Sequence, residues 1–226
     1  LLILAAAALA AVWFYLVQAE ALSRLSLGYA DAGIYYLRVK NTAIGRGLLQ
    51  ETLARPPFYD HFDVGLLVLV PFWWLIKSYK AVMWAQAAFL AAVGPAVYVF
   101  ARGRGFRPWA AFAFGAAALV YPSISQMSLS FSYGFHPVTL AIPAVILSMH
   151  FWEKRRWGWF AVAALFAMSM EETIIPLYVG MGLVEAVFPR GARRAGIVLM
   201  VLSAGAFVLV TRVIMPEFAG SERYFQ

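Results

Sequence analysis

Asp31 sits in the run Tyr29-Ala30-Asp31-Ala32-Gly33-Ile34-Tyr35-Tyr36, a carboxylate beside a glycine and among tyrosines. Such a group can act as a general base when partial burial raises its pKa; a helix cap or a solvated acid is the plainer alternative. Asp60-His61-Phe62-Asp63 places an imidazole between two carboxylates. Oxygen and imidazole ligands suit a divalent metal such as Mn²⁺ or Zn²⁺, and a histidine there can instead bind phosphate or relay protons. A polar cap on the following helix needs neither. His136, in Phe135-His136-Pro137, marks a return into an apolar run and faces either a cavity or its own backbone. Glu171 and Glu172 are adjacent carboxylates between two apolar runs; charges set that deep in a bilayer are costly and usually functional. Arg55, Arg212 and Arg223 could hold a phosphate by bidentate hydrogen bonds, with snorkelling as the default explanation. With no cysteine in the chain, disulfides, thiolate metal sites and cysteine nucleophiles are excluded.

The elements that must position these groups are hydrophobic. The chain is 63% apolar and only 13% charged, with a mean hydropathy of +0.76, against roughly 25% charged residues in a soluble domain. Apolar runs of spanning length recur, so the expected class is all-α, a polytopic helical membrane protein. The net charge of +7 does not indicate nucleic acid. The cations fall in short turns between apolar runs, where they orient a membrane protein. Three clusters stand out: Arg102, Arg104 and Arg107; Lys154, Arg155 and Arg156; and Arg190, Arg193 and Arg194.

Leu1 to Ala19, Tyr79 to Ala101, Trp109 to Tyr121, Pro137 to Trp152, Trp157 to Met170, Thr173 to Phe188 and Gly196 to Val213 read as about seven transmembrane helices. The stretch from Phe62 to Ile76 reaches only roughly 22 Å, against about 30 Å of hydrocarbon. Its paired Trp73 and Trp74 suit a helix lying in the interface. Residues 20–78 are then a first extracytoplasmic loop with a juxtamembrane helix. Trp157 to Phe188 as one helix would bury Glu171 and Glu172 at mid-membrane, and Pro176 fits a first helical turn, so a hairpin reversing near Glu171 is expected. The serines from Ser123 to Ser132 are expected to form a turn.

Residues 1–226 are thus expected to be one transmembrane domain in the cell membrane, with cytoplasmic loops at 102–107, 153–156 and 189–194. Asp31, Asp60, His61, Asp63, His136, Glu171, Glu172 and Glu217 would share the opposite face. The abrupt ends, Leu1 within an apolar run and Gln226 in a polar one, read as those of a piece of a longer protein.

In order and spacing, Asp31-Ala32-Gly33-Ile34, His61-Phe62, Phe135-His136-Pro137, Glu171-Glu172 and Arg223-Tyr224 resemble a family of multi-pass membrane proteins defined by a domain of unknown function. That family is in turn similar to the GT-C superfamily of polyprenyl-phosphate-sugar-dependent glycosyltransferases. The likeness covers essentially the whole chain. It departs at Asp63-Val64, where the family has Ser-Pro, at Met170, where a lysine is usual, and at Glu172, usually Asp.

The resemblance implies a GT-C-like fold with the 62–76 helix lining a donor groove. It implies a lipid-linked sugar entering from the bilayer, Asp31 deprotonating or orienting an acceptor hydroxyl, and inversion at the anomeric carbon. Arg55, His61, His136, Arg223 and Tyr224 would bind the phosphate, and Glu171 and Glu172 would position acceptor or metal. Partners would be the polyprenyl-phosphate-linked sugar and membrane lipid. No cofactor is fixed by this reading; a divalent metal at Asp60, His61 and Asp63 is the one candidate. The rival class is a proton-coupled transporter or lipid flippase, whose inverted repeats are not visible here.

Overall fold

The computed structural model describes residues 1–26, 30–52, 55–129, 134–188 and 191–219. Every regular element among them is helical, apart from an isolated bridge between Thr52 and Arg55. Helix α1 (Leu2–Ser23) and α4 (Lys80–Gly103) are long alanine-rich rods, and α10 (Arg193–Leu209) continues through a π-turn at Val210–Ile214 into α11 (Met215–Ala219). These three rods, the last counted from Arg193 to Phe218, are long and apolar enough to cross a membrane. The other expected spans are shorter helices: α5 (Pro108–Leu119), α7 (Val138–Glu153), α8 (Trp157–Met168) and α9 (Ile175–Val187). At about 1.5 Å per residue, α5, α8 and α9 reach only roughly 18–20 Å. Proline sets where α5 and α9 start, because it lacks an N–H and fits the first turn.

Helix α4 is the centre of the bundle, packed against α1, α5 and α7; α8 leans on α7, and α9 pairs with α10. Stacked rings lock these contacts, Tyr15 on Trp84 at 4.0 Å and Phe89 on Phe166 at 5.8 Å. Gly115 lets α5 meet α4 through backbone: a Cβ there would lie 2.7 Å from the Gly94 carbonyl oxygen. The hairpin expected near Glu171 is present. Phe160 of α8 and Tyr178 of α9 face each other at 6.2 Å, and the Tyr178 hydroxyl is 3.0 Å from that of Ser148 on α7.

The cationic turns meet at one end of this bundle. Arg104 Nε donates to Glu153 at 2.8 Å, Lys154 Nζ to the Gly103 carbonyl at 2.5 Å, and Arg155 to the Gly191 carbonyl at 3.2 Å. At the other end lies the segment from Val64 to Ile76, a 3₁₀ turn (Val64–Leu69) followed by α3 (Val70–Ile76). The Gly65 N–H donates to the Ser169 carbonyl just past α8, and a left-handed Lys77 (φ 50°) turns the chain into α4. The segment therefore begins and ends at the same end of the bundle.

Two helices were not expected. Helix α2 (Ala30–Ala43) occupies part of the polar stretch, and α6 (Pro122–Leu129) replaces the first half of the serine turn. Pro122 opens α6 as an N-terminal proline does.

Candidate functional site

Helix α2 buries one face, formed by Ala32, Tyr35 and Val39, and Arg38 falls on that same face with 2% exposure. A buried guanidinium is stable only when paired and hydrogen-bonded. The chain supplies the partners from the loop after α2. Arg38 Nη1 donates to Asp63 at 2.6 Å, Nη2 donates to Asp60, and Glu51 lies 3.6 Å away. One cation is thus shared by three carboxylates, Asp63 fully buried among them. Arg38 also stands over the Tyr35 ring at 5.4 Å, and Tyr35 meets His136 edge-on at 5.4 Å.

A second group lies against the first. Residues 61–65 lie across the turn between the short helices α8 and α9. His61 Nδ1 is 3.0 Å from Glu172 Oε1, and the Phe62 N–H donates to Glu172 Oε2 at 2.8 Å. His136 Nδ1 approaches Glu171 Oε2 at 3.2 Å as an ion-pair contact, while Thr173 donates to Glu171 Oε1 at 2.6 Å. The two imidazole rings are 6.1 Å apart. Gly65 fits this approach, since a Cβ would fall 2.6 Å from both the Met170 methyl and the Ser169 hydroxyl and both side chains would have to shift. Met170 is fully buried in that contact. Each glutamate of the pair faces an imidazole.

The electrostatics follow from these partners. The hydrogen bond that the His61 ring donates to Glu172, aided by the charges of Glu172, Glu171 and Asp60, raises His61 to about 9 against the effect of burial. Burial alone would raise Glu171, but His136 and Thr173 hold it below the usual carboxylate range. Burial opposes Arg38 at both of its aspartates: Asp60 stays low, while fully buried Asp63 is pushed up to about 6. Burial, with the Asp63 and Asp60 charges, drives the Tyr35 phenol far above its ordinary value, so it remains a donor.

Of the residues singled out in the sequence, the fold gathers His61, His136, Glu171 and Glu172 with Asp60 and Asp63. Asp31 is half-buried in the first turn of α2, one turn before Tyr35 and two before Arg38. Arg55 is exposed and engaged by Glu51 at 2.8 Å and by the Tyr59 ring. Arg212 and Glu217 are exposed on the last rod. Arg223 and Tyr224 lie outside the described residues, as does Arg190.

The three metal candidates do not converge. Asp60 and Asp63 turn to Arg38 and His61 turns to Glu172, and among the described residues no three His, Asp or Glu side chains gather as an ion's ligands. Three neighbours in sequence rarely converge on one point. Arg38, Tyr35 and Glu51 were not anticipated. The signal was there for Arg38: a lone cation on the apolar stripe of an amphipathic helix must have a buried partner.

No curated protein and no solved structure matches the chain. A family model does, over residues 21–225, which takes in all the residues of this cluster but only the last turn of α1. The chain belongs to the family described as predicted membrane protein (DUF2079).

Proposed function

We propose that this membrane protein is a GT-C-like glycosyltransferase, moving a sugar from a polyprenyl-phosphate donor to an acceptor hydroxyl on the extracytoplasmic face. The observation that carries the reading is the division of the bundle into two ends. The cationic turns meet at one end, and the carboxylates and imidazoles cluster at the other, beside a segment that begins and ends there. With the cationic end in the cytoplasm, the cluster faces the side where a lipid-linked donor presents its head group. In this reading α5, α7, α8 and α9 also cross, giving seven spans.

Asp31 takes the proton of the acceptor hydroxyl as its oxygen attacks the anomeric carbon. The bond from that carbon to the phosphate oxygen breaks, and polyprenyl phosphate leaves with the electron pair. His61, protonated through neutral pH, offers positive charge to the leaving phosphate. Arg38 is buried with both Nη atoms donating to Asp63 and Asp60, whereas half-buried His61 meets Glu172 through Nδ1 alone.

One observation favours a second reading, proton-coupled transport: two imidazoles, each beside its own glutamate, stand 6.1 Å apart and could pass a proton between them. Asp31→Asn separates the two. In membranes supplied with radiolabelled polyprenyl-phosphate sugars, the transferase loses about 10²-fold or more of its turnover, as expected for loss of a general base, while still binding donor. Wild-type transfer rates in the variant would refute the assignment of Asp31. Proton-coupled flux without any sugar transfer by the wild type would favour the transporter.

A further inference from the structure

Beside the polar cluster, on the far side of Glu51, lies a cavity of about 510 Å³ whose wall includes Lys40, Asn41, Arg46, Gln50, Glu51 and Thr52. That volume is within the roughly 300–1,000 Å³ of small-molecule sites. The wall is held in place by the end of α2. Asn41 donates to the Gln50 and Glu51 carbonyls at 2.8 and 3.0 Å and accepts the Arg46 N–H on its own carbonyl at 2.8 Å, while the Leu49 N–H donates to the Thr42 hydroxyl at 2.7 Å. The tight return needs glycine on both sides of Arg46, Gly45 at φ 71° and Gly47 at φ 155°.

The charges on this wall are uneven. Glu51, its carboxylate, is engaged by Arg55 at 2.8 Å and lies 3.6 Å from Arg38. Lys40 is set over the Tyr36 ring at 5.9 Å, and neither it nor Arg46 pairs with a carboxylate among the described residues. Two cations with amide and hydroxyl groups around them, in a preformed hollow, suit a phosphate and the polar group attached to it.

We propose that this cavity is a binding site for a phosphate-bearing ligand, with Lys40 and Arg46 on the phosphate and Asn41, Gln50 and Thr52 around its polar substituent. The chemistry is shared by a soluble phosphate and a lipid-linked one. The site deepens the transferase reading, on which it rests for the identity of the donor though not for phosphate binding itself. It also supplies the cations that Arg38 and Arg55 do not.

The test uses the full chain in phosphatidylcholine nanodiscs. Binding is measured for inorganic pyrophosphate, for a polyprenyl phosphate in the bilayer, and for the corresponding polyprenol. Saturable binding of either phosphate but not of the polyprenol is expected, and the arm that binds identifies the source. Lys40→Gln with Arg46→Gln weakens binding about tenfold or more, the loss expected when charge-assisted contacts go, with the melting temperature kept as the check on folding. Arg156→Gln, exposed at the opposite end of the bundle, leaves it within about twofold.

Equal binding of phosphate and polyprenol, no binding of either phosphate, or wild-type affinity in the Lys40/Arg46 variant overturns the site. Loss of binding in His61→Gln alone places the phosphate in the histidine cluster, overturning this site while leaving the transferase reading intact. If the double variant unfolds, Lys40→Gln and Arg46→Gln singly must each weaken binding, and wild-type affinity in both overturns the site.

Discussion

Arg104 and Arg38 both pair with carboxylates, one at each end of the bundle, but in different surroundings. Arg104 and Glu153 keep 47% and 31% of their side chains exposed. Arg38 and Asp63 keep 2% and 0%. A pair left in water contributes roughly 0–1 kcal/mol, because the solvent screens it and does not need to be removed. A buried pair has given up its hydration, so each partner depends on the other. The contrast separates an end held by exposed pairs from an end organised around buried charge. Desolvation distinguishes the two ends, since both contain arginine and glutamate.

The largest effect should come from breaking the buried set. Arg38→Met leaves three carboxylates facing one another and is expected to cost about 3–5 kcal/mol, read as a large drop in melting temperature in detergent. Adding Asp63→Asn should recover part of it. Arg104→Ala, the matching change at the cationic end, should stay within about 1 kcal/mol. Equal losses from the two arginine changes would erase the distinction between the ends.

A smaller effect tests His61. Its pKa is raised to about 9 by Glu172. The stability this gives is therefore fully present below the ordinary histidine pKa of about 6.5 and is lost as pH rises through the folded value. The difference in melting temperature between wild type and His61→Gln should shrink between about pH 6.5 and 9, with a ceiling on the order of 3 kcal/mol. A difference that does not change with pH would mean that Glu172 holds a neutral ring.

Much of this arrangement was legible in residue order. The cationic turns, the reversal near Glu171 and the short stretch before α4 all follow from run lengths and charge placement, which depend on local sequence. The crossing lengths were less legible. Residues 109–121, 157–170 and 173–188 read as continuous apolar runs, yet their helices stop early, because prolines, the Glu171–Glu172 break and turns between helices use up residues. Helix α2 was hidden because a half-buried helix mixes charged and apolar residues. Arg38 was hidden with it, since its partners lie 22 and 25 residues away. The Asp60-His61-Phe62-Asp63 run shows the opposite limit: its residues are adjacent in sequence, while the backbone sends their side chains to two places.

The central claim is that the two ends of the bundle are two sides of a membrane. The chain has no cysteine, so single introduced thiols report without background. Thr52→Cys and Arg156→Cys, both at exposed positions, can be treated with a membrane-impermeant maleimide in intact cells. The account predicts that Cys at 52 is labelled from outside and Cys at 156 only after the membrane is opened. Labelling of both from the same side, or of 156 alone, would contradict it.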